Sequence, residues 1–257
     1  MLIEKLSASS ISMWLQCPYK FRLFILRQLP QVSQTYQEYG ILLHGVLDQY
    51  VKLHTLGTPY LPVDSILQFY ANDYPEYSTG KPYATGEKLL LKYYKEHFQG
   101  NICKMVEAEK KFGIPLGKFK ITGRIDRTDK LSEDVYEVID YKSGKVEDKI
   151  LKQDIQLLMY AYKTFNDNDF KLKECKVSLH YLQFGVFSDI IVKEDLPPFR
   201  EKLESIYNEI TNTVDFKPKK NQYCFNCEAK GTCPLFNHTS KGCVGYNSKK
   251  VKKEVIF

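Results

Sequence analysis

Two aspartates and a lysine, placed on either side of a short polar turn, are the residues of this sequence best suited to chemistry. Asp126 lies in Gly-Arg-Ile-Asp-Arg at 123–127, and Asp140 and Lys142 lie in Tyr-Glu-Val-Ile-Asp-Tyr-Lys at 136–142. The β-branched residues beside the turn predict a two-stranded hairpin, on which Asp140 and Lys142 share a face. Two carboxylates gathered there suit Mg²⁺ or Mn²⁺, and the lysine can hold a scissile phosphate or an attacking water. The pattern therefore predicts a metal-dependent nuclease.

A solvent-exposed hairpin with alternating charges could have the same sequence pattern. The apolar Val-Ile pair just before Asp140, however, favours a core strand that ends on a carboxylate. The arrangement resembles the RecB-like branch of the PD-(D/E)XK nuclease superfamily, whose second and third motifs are Gly-x-x-Asp and Asp-Tyr-Lys-(Ser/Thr)-Gly. The resemblance implies that Asp126 and Asp140 bind metal. It also implies that the backbone carbonyl of Tyr141 is a further metal ligand and that Lys142 is catalytic.

His44 lies beside the apolar stripe of a predicted helix over 37–56. A lone histidine in such a place is ordinarily a satisfied residue at the edge of the core. RecB-like nucleases, however, carry Gly-x-x-x-His on an early helix, and Gly40-Ile-Leu-Leu-His44 is similar to it. This resemblance implies that His44 is the metal-binding histidine of the first motif.

Two further pairs of polar residues are candidates for contacts with substrate. Gln156 and Tyr160 lie four residues apart on one face of a predicted helix. They match the Gln-x-x-x-Tyr motif of RecB-like nucleases, which implies that they contact DNA or support the site. Glu109, just before the hairpin, and Arg124, within it, are accessory candidates. Glu109 would face the site or its substrate, or would lie on an exposed strand edge.

The cysteine spacing near the C-terminus predicts a second site. Cys224-x₂-Cys227-x₅-Cys233 supplies three ligands of a tetrahedral centre. Cys243 would complete a local four-cysteine zinc site, whereas Cys17 would bring the fourth ligand from the other end of the chain.

The pairing of an N-terminal Cys-Pro with this triplet resembles the iron–sulfur RecB-like nucleases, which include AddB-type nuclease domains and CRISPR-associated adaptation exonucleases. The resemblance implies a structural [4Fe–4S] cluster, which favours Cys17 over Cys243 as the fourth ligand. The implied ligands are Cys17, Cys224, Cys227 and Cys233. Cys103 and Cys175 fall in predicted strands and are expected in the core.

Composition excludes several classes of protein. The chain has 257 residues, 43% of them hydrophobic and 26% charged, as in soluble globular proteins. There is no apolar run of the roughly 18 residues that span a bilayer, and no signal segment at the N-terminus, so we expect a cytoplasmic protein of a prokaryote or of a phage-infected host, with no membrane contact. Of the net charge of +6, residues 217–257 carry +7, and this basic segment would be a solvated end or a contact with a phosphate backbone.

The order of predicted elements gives an α/β (α+β) fold with a restriction-endonuclease-like core, in which helices flank a central mixed β-sheet and a cysteine-rich C-terminal segment closes an iron–sulfur site. Helices are predicted near 9–28, 37–56, 65–72, 84–99, 148–165 and 196–213. Strands are predicted at 103–115, in the hairpin, and at 176–184 and 186–192. The chain divides into an N-terminal helical region, a nuclease core, a cluster segment and a basic tail, best treated as one nuclease domain, with boundaries at 1–100, 101–215, 216–240 and 241–257.

Taken together, these motifs predict a metal-dependent DNA nuclease, an exonuclease on single-stranded ends, in DNA repair, recombination or CRISPR spacer processing. Its partners would be DNA and a helicase, a recombinase or CRISPR adaptation proteins. One alternative is a nuclease-fold subunit of a helicase–nuclease or recombination complex, since the chain has no phosphate-binding loop of its own. A second alternative is an inactive DNA-binding relative, although a scaffold has no need of Lys142.

Overall fold

The computed structural model of the protein describes residues 3–30, 35–55, 62–73, 81–99 and 105–236. Cys103 and Cys243, both discussed above, lie outside these residues. The strands in the described part are β1 Lys5–Ser7, β2 Met105–Leu116, β3 Phe119–Lys130, β4 Val135–Lys142, β5 Glu174–Tyr181 and β6 Gly185–Val192. The α-helices there are α1 Ala8–Gln16, α2 Pro18–Phe21, α3 Thr35–Thr55, α4 Val63–Asp73, α5 Lys81–His97, α6 Ile155–Asp167 and α7 Leu196–Asn212.

The long strand β3 organises the mixed sheet. β2 pairs antiparallel along nearly all of β3, so the other two neighbours of β3 must share its second edge. There, β1 pairs in parallel with 120–122 and β4 pairs antiparallel with 127–130. Residues 123–126 of β3 therefore have no ladder partner on that edge among the described strands. The predicted hairpin is confirmed, and the ladder opens at Asp126.

The sheet continues from β4 to β5 in parallel and from β5 to β6 antiparallel. Parallel neighbours need a crossover connection, and α6 supplies it between β4 and β5. The sequence predicted this helix from Asp148, but it begins at Ile155. The reason is local, because the Asp154 side chain accepts a hydrogen bond from the Leu157 backbone N–H and caps the first turn.

Two hydrophobic clusters cover the two faces of the sheet. One cluster joins α1, α6 and α7 to residues such as Val138 and Leu179. The other joins α3, α4 and α5 to residues such as Ile139 and Tyr141. Consecutive residues of β4 thus enter opposite clusters, as strand alternation requires. This mixed sheet between helical layers confirms the predicted restriction-endonuclease-like α/β fold.

The predicted continuous helix from residue 9 to residue 28 is wrong. Ser7, rather than Ser9 or Ser10, caps α1 in a reciprocal capping box with Ser10. At Cys17 the backbone is extended, and Pro18 starts α2 at a position where proline costs no hydrogen bond. A π-helical turn, Arg22–Leu26, follows. The break places half-buried Cys17 at a junction between two helices instead of within a bent helix.

No helix in the described ranges is long and apolar enough to cross a bilayer.

A buried polar group lies under α5 on the face of the sheet that also carries Tyr141. Tyr93 Oη lies 2.6 Å from His180 Nδ1, and the His180 ring also faces His97, Arg127 and Lys176. Burial lowers the pKa of His180 well below 6.5, and the charges of these neighbours lower it further. His180 is therefore neutral in the folded protein at neutral pH.

We expect His180 to make the protein less stable in mild acid. Near pH 6.5 His180 takes up a proton in the unfolded chain but not in the folded protein. Its contribution to the free energy of unfolding is therefore fully present above that pH and is lost as the pH falls. The loss is at most about 1.4 kcal/mol per pH unit. Urea unfolding between about pH 7 and pH 5.5 should show a flatter pH dependence in His180→Gln than in the wild type. His54→Gln is the control, and equal slopes in wild type and His180→Gln would contradict the expectation.

Candidate active site

The end of the β3–β4 ladder brings the two predicted catalytic aspartates together. The last paired residues are Arg127 and Ile139, and continuing this antiparallel register by one residue places Asp126 opposite Asp140. Opposed residues on neighbouring antiparallel strands have Cβ atoms about 5 Å apart. Both carboxylates are almost fully buried. The register of the hairpin therefore brings both carboxylates to the same end of the ladder, where the two strands begin to separate.

Asp126 takes over a backbone hydrogen bond where the ladder stops. Its Oδ2 accepts the Tyr141 backbone N–H at 2.9 Å and lies 3.4 Å from His44 Nδ1. The two contacts fix the carboxylate between β4 and α3. The first contact also holds the backbone of Tyr141, whose carbonyl is the predicted additional metal ligand, against Asp126.

The approach of α3 to the end of β4 depends on Gly40. A Cβ atom at this position would lie 2.8 Å from Ser143 Oγ, so a larger residue requires the hydroxyl to move. His44 is one helical turn further along and faces the same end of β4, where its ring meets Tyr141 edge to face at 5.8 Å. The spacing of Gly40 and His44 thus has a packing reason.

Asp140 belongs to a polar network of four residues. Lys142 Nζ lies 2.6 Å from Asp140 Oδ2, and Gln156 Nε2 donates to Asp140 Oδ1 at 2.7 Å. The same Gln156 amide is 2.7 Å from Tyr160 Oη, and its Oε1 accepts from Lys142 at 3.4 Å. Gln156 and Tyr160, predicted to contact DNA or to support the site, are here placed against the carboxylate and the lysine.

Burial and charge set the protonation of these groups. Desolvation, aided by the charge of Asp140, raises the pKa of Asp126 far above its ordinary value of 3.8. Desolvation lowers the pKa of His44, and Asp140 only partly offsets this effect. For Lys142, burial acts to lower the pKa, but the charge of Asp140 and its hydrogen bond to the ammonium together outweigh burial and leave the pKa raised. The site in this form therefore contains a neutral imidazole, a protonated lysine and an Asp126 carboxyl whose ionisation a bound cation would have to promote.

The chemistry of this donor set fits a divalent cation. Asp140 Oδ2 is fully buried and contacts the Lys142 ammonium at 2.6 Å, so a cation bound there would share this oxygen with the lysine. Neutral imidazole and carboxylate oxygen are the forms in which these side chains bind metal. As placed, no three His, Cys, Asp or Glu side chains in the described part of the chain converge tightly enough to hold one ion.

The accessory candidates also lie at this site. Arg124 Nη1 is 2.6 Å from Glu109 Oε2, and Glu109 has a left-handed backbone with φ of +48°. Two cavities, of about 1130 Å³ and 600 Å³, border the site. Arg124 and Lys142 line both of them. Gln156 and Tyr160 line the larger cavity, and His44 and Glu109 line the smaller one.

The four predicted cluster cysteines line one small cavity between the two ends of the described chain. Two of their sulfurs accept backbone N–H groups, Cys17 from Lys219 at 3.4 Å and Cys224 from Asn221 at 3.3 Å. All four thiols are free of disulfides: Cys17, Cys224, Cys227 and Cys233. Buried Cys175 belongs to the main core, as expected.

Comparison with known proteins identifies the family. A family model described as the PD-(D/E)XK nuclease superfamily matches residues 5–234. The chain belongs to this superfamily. No curated protein matches it. A crystal structure of a candidate exonuclease from Eubacterium rectale is similar in fold, with a TM-score of 0.55, 14% identity, and coverage of 94% of this chain and 91% of that one. A structure of SSO0001 has a TM-score of 0.44, 15% identity, and coverage of 92% and 89%.

Membership in the PD-(D/E)XK superfamily supports nuclease activity and implies DNA as the substrate. Nucleases of this superfamily typically use divalent metals such as Mg²⁺ or Mn²⁺.

Sequence reasoning missed two residues that position the site. Phe112 packs edge to face on Tyr160, with ring centroids 6.2 Å apart, and fills the space beside Gly123, where a Cβ atom would lie 2.7 Å from the ring. Ser143 occupies the corresponding space beside Gly40. The motif glycines were the available signal: Phe112 lies opposite Gly123 in the β2–β3 hairpin, whereas Ser143 is far from Gly40 in the sequence.

We expect Gly123→Ala to destabilise the protein by about 1–3 kcal/mol, because the new methyl group overlaps the Phe112 ring. Urea unfolding measures the effect. In a Phe112→Leu background the same substitution should cost much less, since the smaller side chain can withdraw. Equal costs in the two backgrounds would show that Phe112 is not the obstacle.

Proposed function

We propose that this PD-(D/E)XK protein is a metal-dependent deoxyribonuclease that acts on single-stranded DNA ends. The observation that carries the proposal is the grouping of Asp126, Asp140 and Lys142 at the open end of the β3–β4 ladder. A purely structural ion pair explains Lys142 beside Asp140. It does not explain a second buried carboxylate across from them, with a histidine at 3.4 Å.

In this proposal Asp126, Asp140, His44 and the Tyr141 carbonyl hold one or two Mg²⁺ or Mn²⁺ ions. The bound cation supplies Lewis-acid activation of water and neutralises charge on the phosphate. The protein supplies the geometry, because the Tyr141 N–H fixes Asp126 and the Gln156 amide fixes Asp140.

Lys142 stays protonated beside Asp140 and is the cation that meets the scissile phosphate. Its ammonium group would orient the attacking water and stabilise negative charge as the phosphorus–oxygen bond to the leaving group breaks. Gln156, which contacts both Asp140 and Lys142, holds the two side chains in fixed relative positions. Tyr160 lines the larger cavity, where its ring can contact an unpaired base.

The proposal includes a [4Fe–4S] cluster held by Cys17, Cys224, Cys227 and Cys233. Its support is that one cavity is lined by all four thiols, two of which accept backbone N–H groups as cluster sulfurs commonly do. Bound there, the cluster would staple the N-terminal helices to the C-terminal segment. Tyr19 Oη donates to the Thr232 carbonyl at 2.7 Å across the same junction.

We expect Lys142→Ala to lower cleavage of end-labelled single-stranded DNA by at least about 100-fold, because phosphate charge then has no ammonium partner. Asp126→Ala should abolish cleavage, at a cost of about 1–3 kcal/mol for the unpaired Tyr141 N–H. Circular dichroism and urea unfolding check the fold. Lys145→Ala, an exposed lysine three residues away, is the matched control. Undiminished cleavage by clean Lys142→Ala protein would remove the proposal.

The same digestion distinguishes a stand-alone enzyme from a subunit of a helicase–nuclease complex. Substrates with free and blocked 5′ and 3′ ends, single- and double-stranded, are incubated with Mg²⁺, Mn²⁺ or chelator and without ATP. Metal-dependent loss of free single-stranded ends supports the proposal. Cleavage that appears only with a partner motor protein and ATP would favour the subunit.

The cluster proposal predicts brown protein after anaerobic purification, with iron and acid-labile sulfide in equal amounts. Cys17→Ala should lose the colour and most of the iron, whereas Cys175→Ala, whose thiol lies in the main core, should keep both. Colourless protein with zinc that survives Cys17→Ala would instead support the local site that includes Cys243.

A further inference from the structure

Arg124 stands where the two cavities beside the candidate active site meet. Its side chain is 54% exposed and lines the larger cavity together with Gln156 and the smaller one together with His44. Its charge also reaches His44 and Tyr160, one in each direction: it adds to burial in lowering the pKa of His44, and it partly opposes burial, which raises the pKa of Tyr160. A strand crossing the site from one cavity to the other must pass this guanidinium.

Glu109 holds Arg124 there at a conformational cost. Its carboxylate is only 11% exposed, and its Oε2 lies 2.6 Å from Arg124 Nη1. The backbone φ of +48° is unusual for a residue other than glycine and costs of order 1 kcal/mol or more. The β2–β3 ladder pairs Ala108 with Arg127 and Lys110 with Ile125, so the strained residue lies beside Asp126. Strain at such a place indicates a functional constraint on the direction of the Glu109 side chain.

The surroundings of Arg124 favour an anion. Lys111 is directly opposite Arg124 in the β2–β3 register. Like charges in such a pair are destabilising unless a negative group lies between them. Glu109 contacts one guanidinium nitrogen, and no other partner is recorded for Arg124 in the described ranges. A guanidinium has five N–H donors in a fork that matches phosphate oxygens, so most of its binding capacity is unused.

We propose that Arg124, oriented by Glu109, binds a backbone phosphate of the DNA strand adjacent to the scissile one and so sets the path of the strand between the two cavities. The inference rests on the proposed nuclease function and extends it. Arg124 contacts the substrate, whereas Glu109 is a positioning residue that acts through Arg124. Lys142 contacts the scissile phosphate, and Arg124 contacts the adjacent phosphate of the same strand.

The test combines binding and kinetics on a single-stranded oligonucleotide. Affinity is measured by fluorescence anisotropy at several salt concentrations without divalent metal, so that no cleavage occurs. Arg124→Ala should reduce the slope of log affinity against log salt by about 0.7, the value for one lost phosphate contact on a single strand. In steady-state cleavage it should raise KM by about tenfold or more, with a smaller change in kcat.

Glu109→Gln tests the positioning role, because it removes the charge and keeps the shape. Alone it should raise KM several-fold, but in the Arg124→Ala background it should add nothing further. Arg124→Lys should restore the salt slope and only part of the affinity, since it keeps the charge and loses the fork. Arg200→Ala is the matched control, an arginine 52% exposed and paired with Glu204 on α7.

Several results would overturn the inference. An unchanged salt slope in Arg124→Ala, or independent and additive effects of the Glu109 and Arg124 substitutions, would remove it while leaving the nuclease proposal intact. Cleavage that survives Lys142→Ala would remove the nuclease proposal instead. A wild-type protein that neither binds nor cleaves the oligonucleotide would remove both.

Discussion

One hydrogen bond, from the Tyr141 N–H to Asp126 Oδ2, marks the place on which the site depends. β3 cannot pair with β4 beyond Arg127 and Ile139, so the backbone of β4 needs another acceptor there. A carboxylate from β3 supplies it. Because the two strands separate at this point, a second carboxylate and a lysine fit beside the first. The interruption of regular pairing thus creates the site, and the rest of the sheet keeps the interruption in place.

The two helical layers contribute opposite halves of that site. α3 lies on one face and brings His44 to Asp126, through the close approach at Gly40. α6 lies on the other face and brings Gln156 to Asp140. Each layer has its own hydrophobic cluster, so each half is positioned by an independent piece of core. Shifting either layer would change one carboxylate's surroundings while leaving the other's largely intact.

The ends of the described chain are joined by polar contacts as well as by the four cysteines. The Asn221 amide donates to the Gln16 carbonyl at 2.9 Å, and Tyr19 donates to Thr232. The N-terminal segment is also part of the sheet, since β1 pairs with residues 120–122 of β3. A staple at Cys17 would therefore act on the strand that carries Asp126.

The sequence by itself predicted the hairpin, most helices and strands, and the placement of two aspartates and a lysine at the end of the hairpin, because strand alternation and turn chemistry are local properties. It also indicated His44 and Gln156 as site residues, but only through their match to family motifs and not through the chemical character of the residues themselves. The break after α1 was also readable in the sequence, because the residue before a proline is disfavoured in helical conformation and Pro18 follows Cys17. The register between β2 and β3 is local, because a two-residue turn at Gly117 and Lys118 joins the two strands. Only the tertiary structure decided that Glu109 adopts a left-handed backbone and contacts Arg124, because φ at one strand residue depends on the groups packed around it and not on the strand pattern.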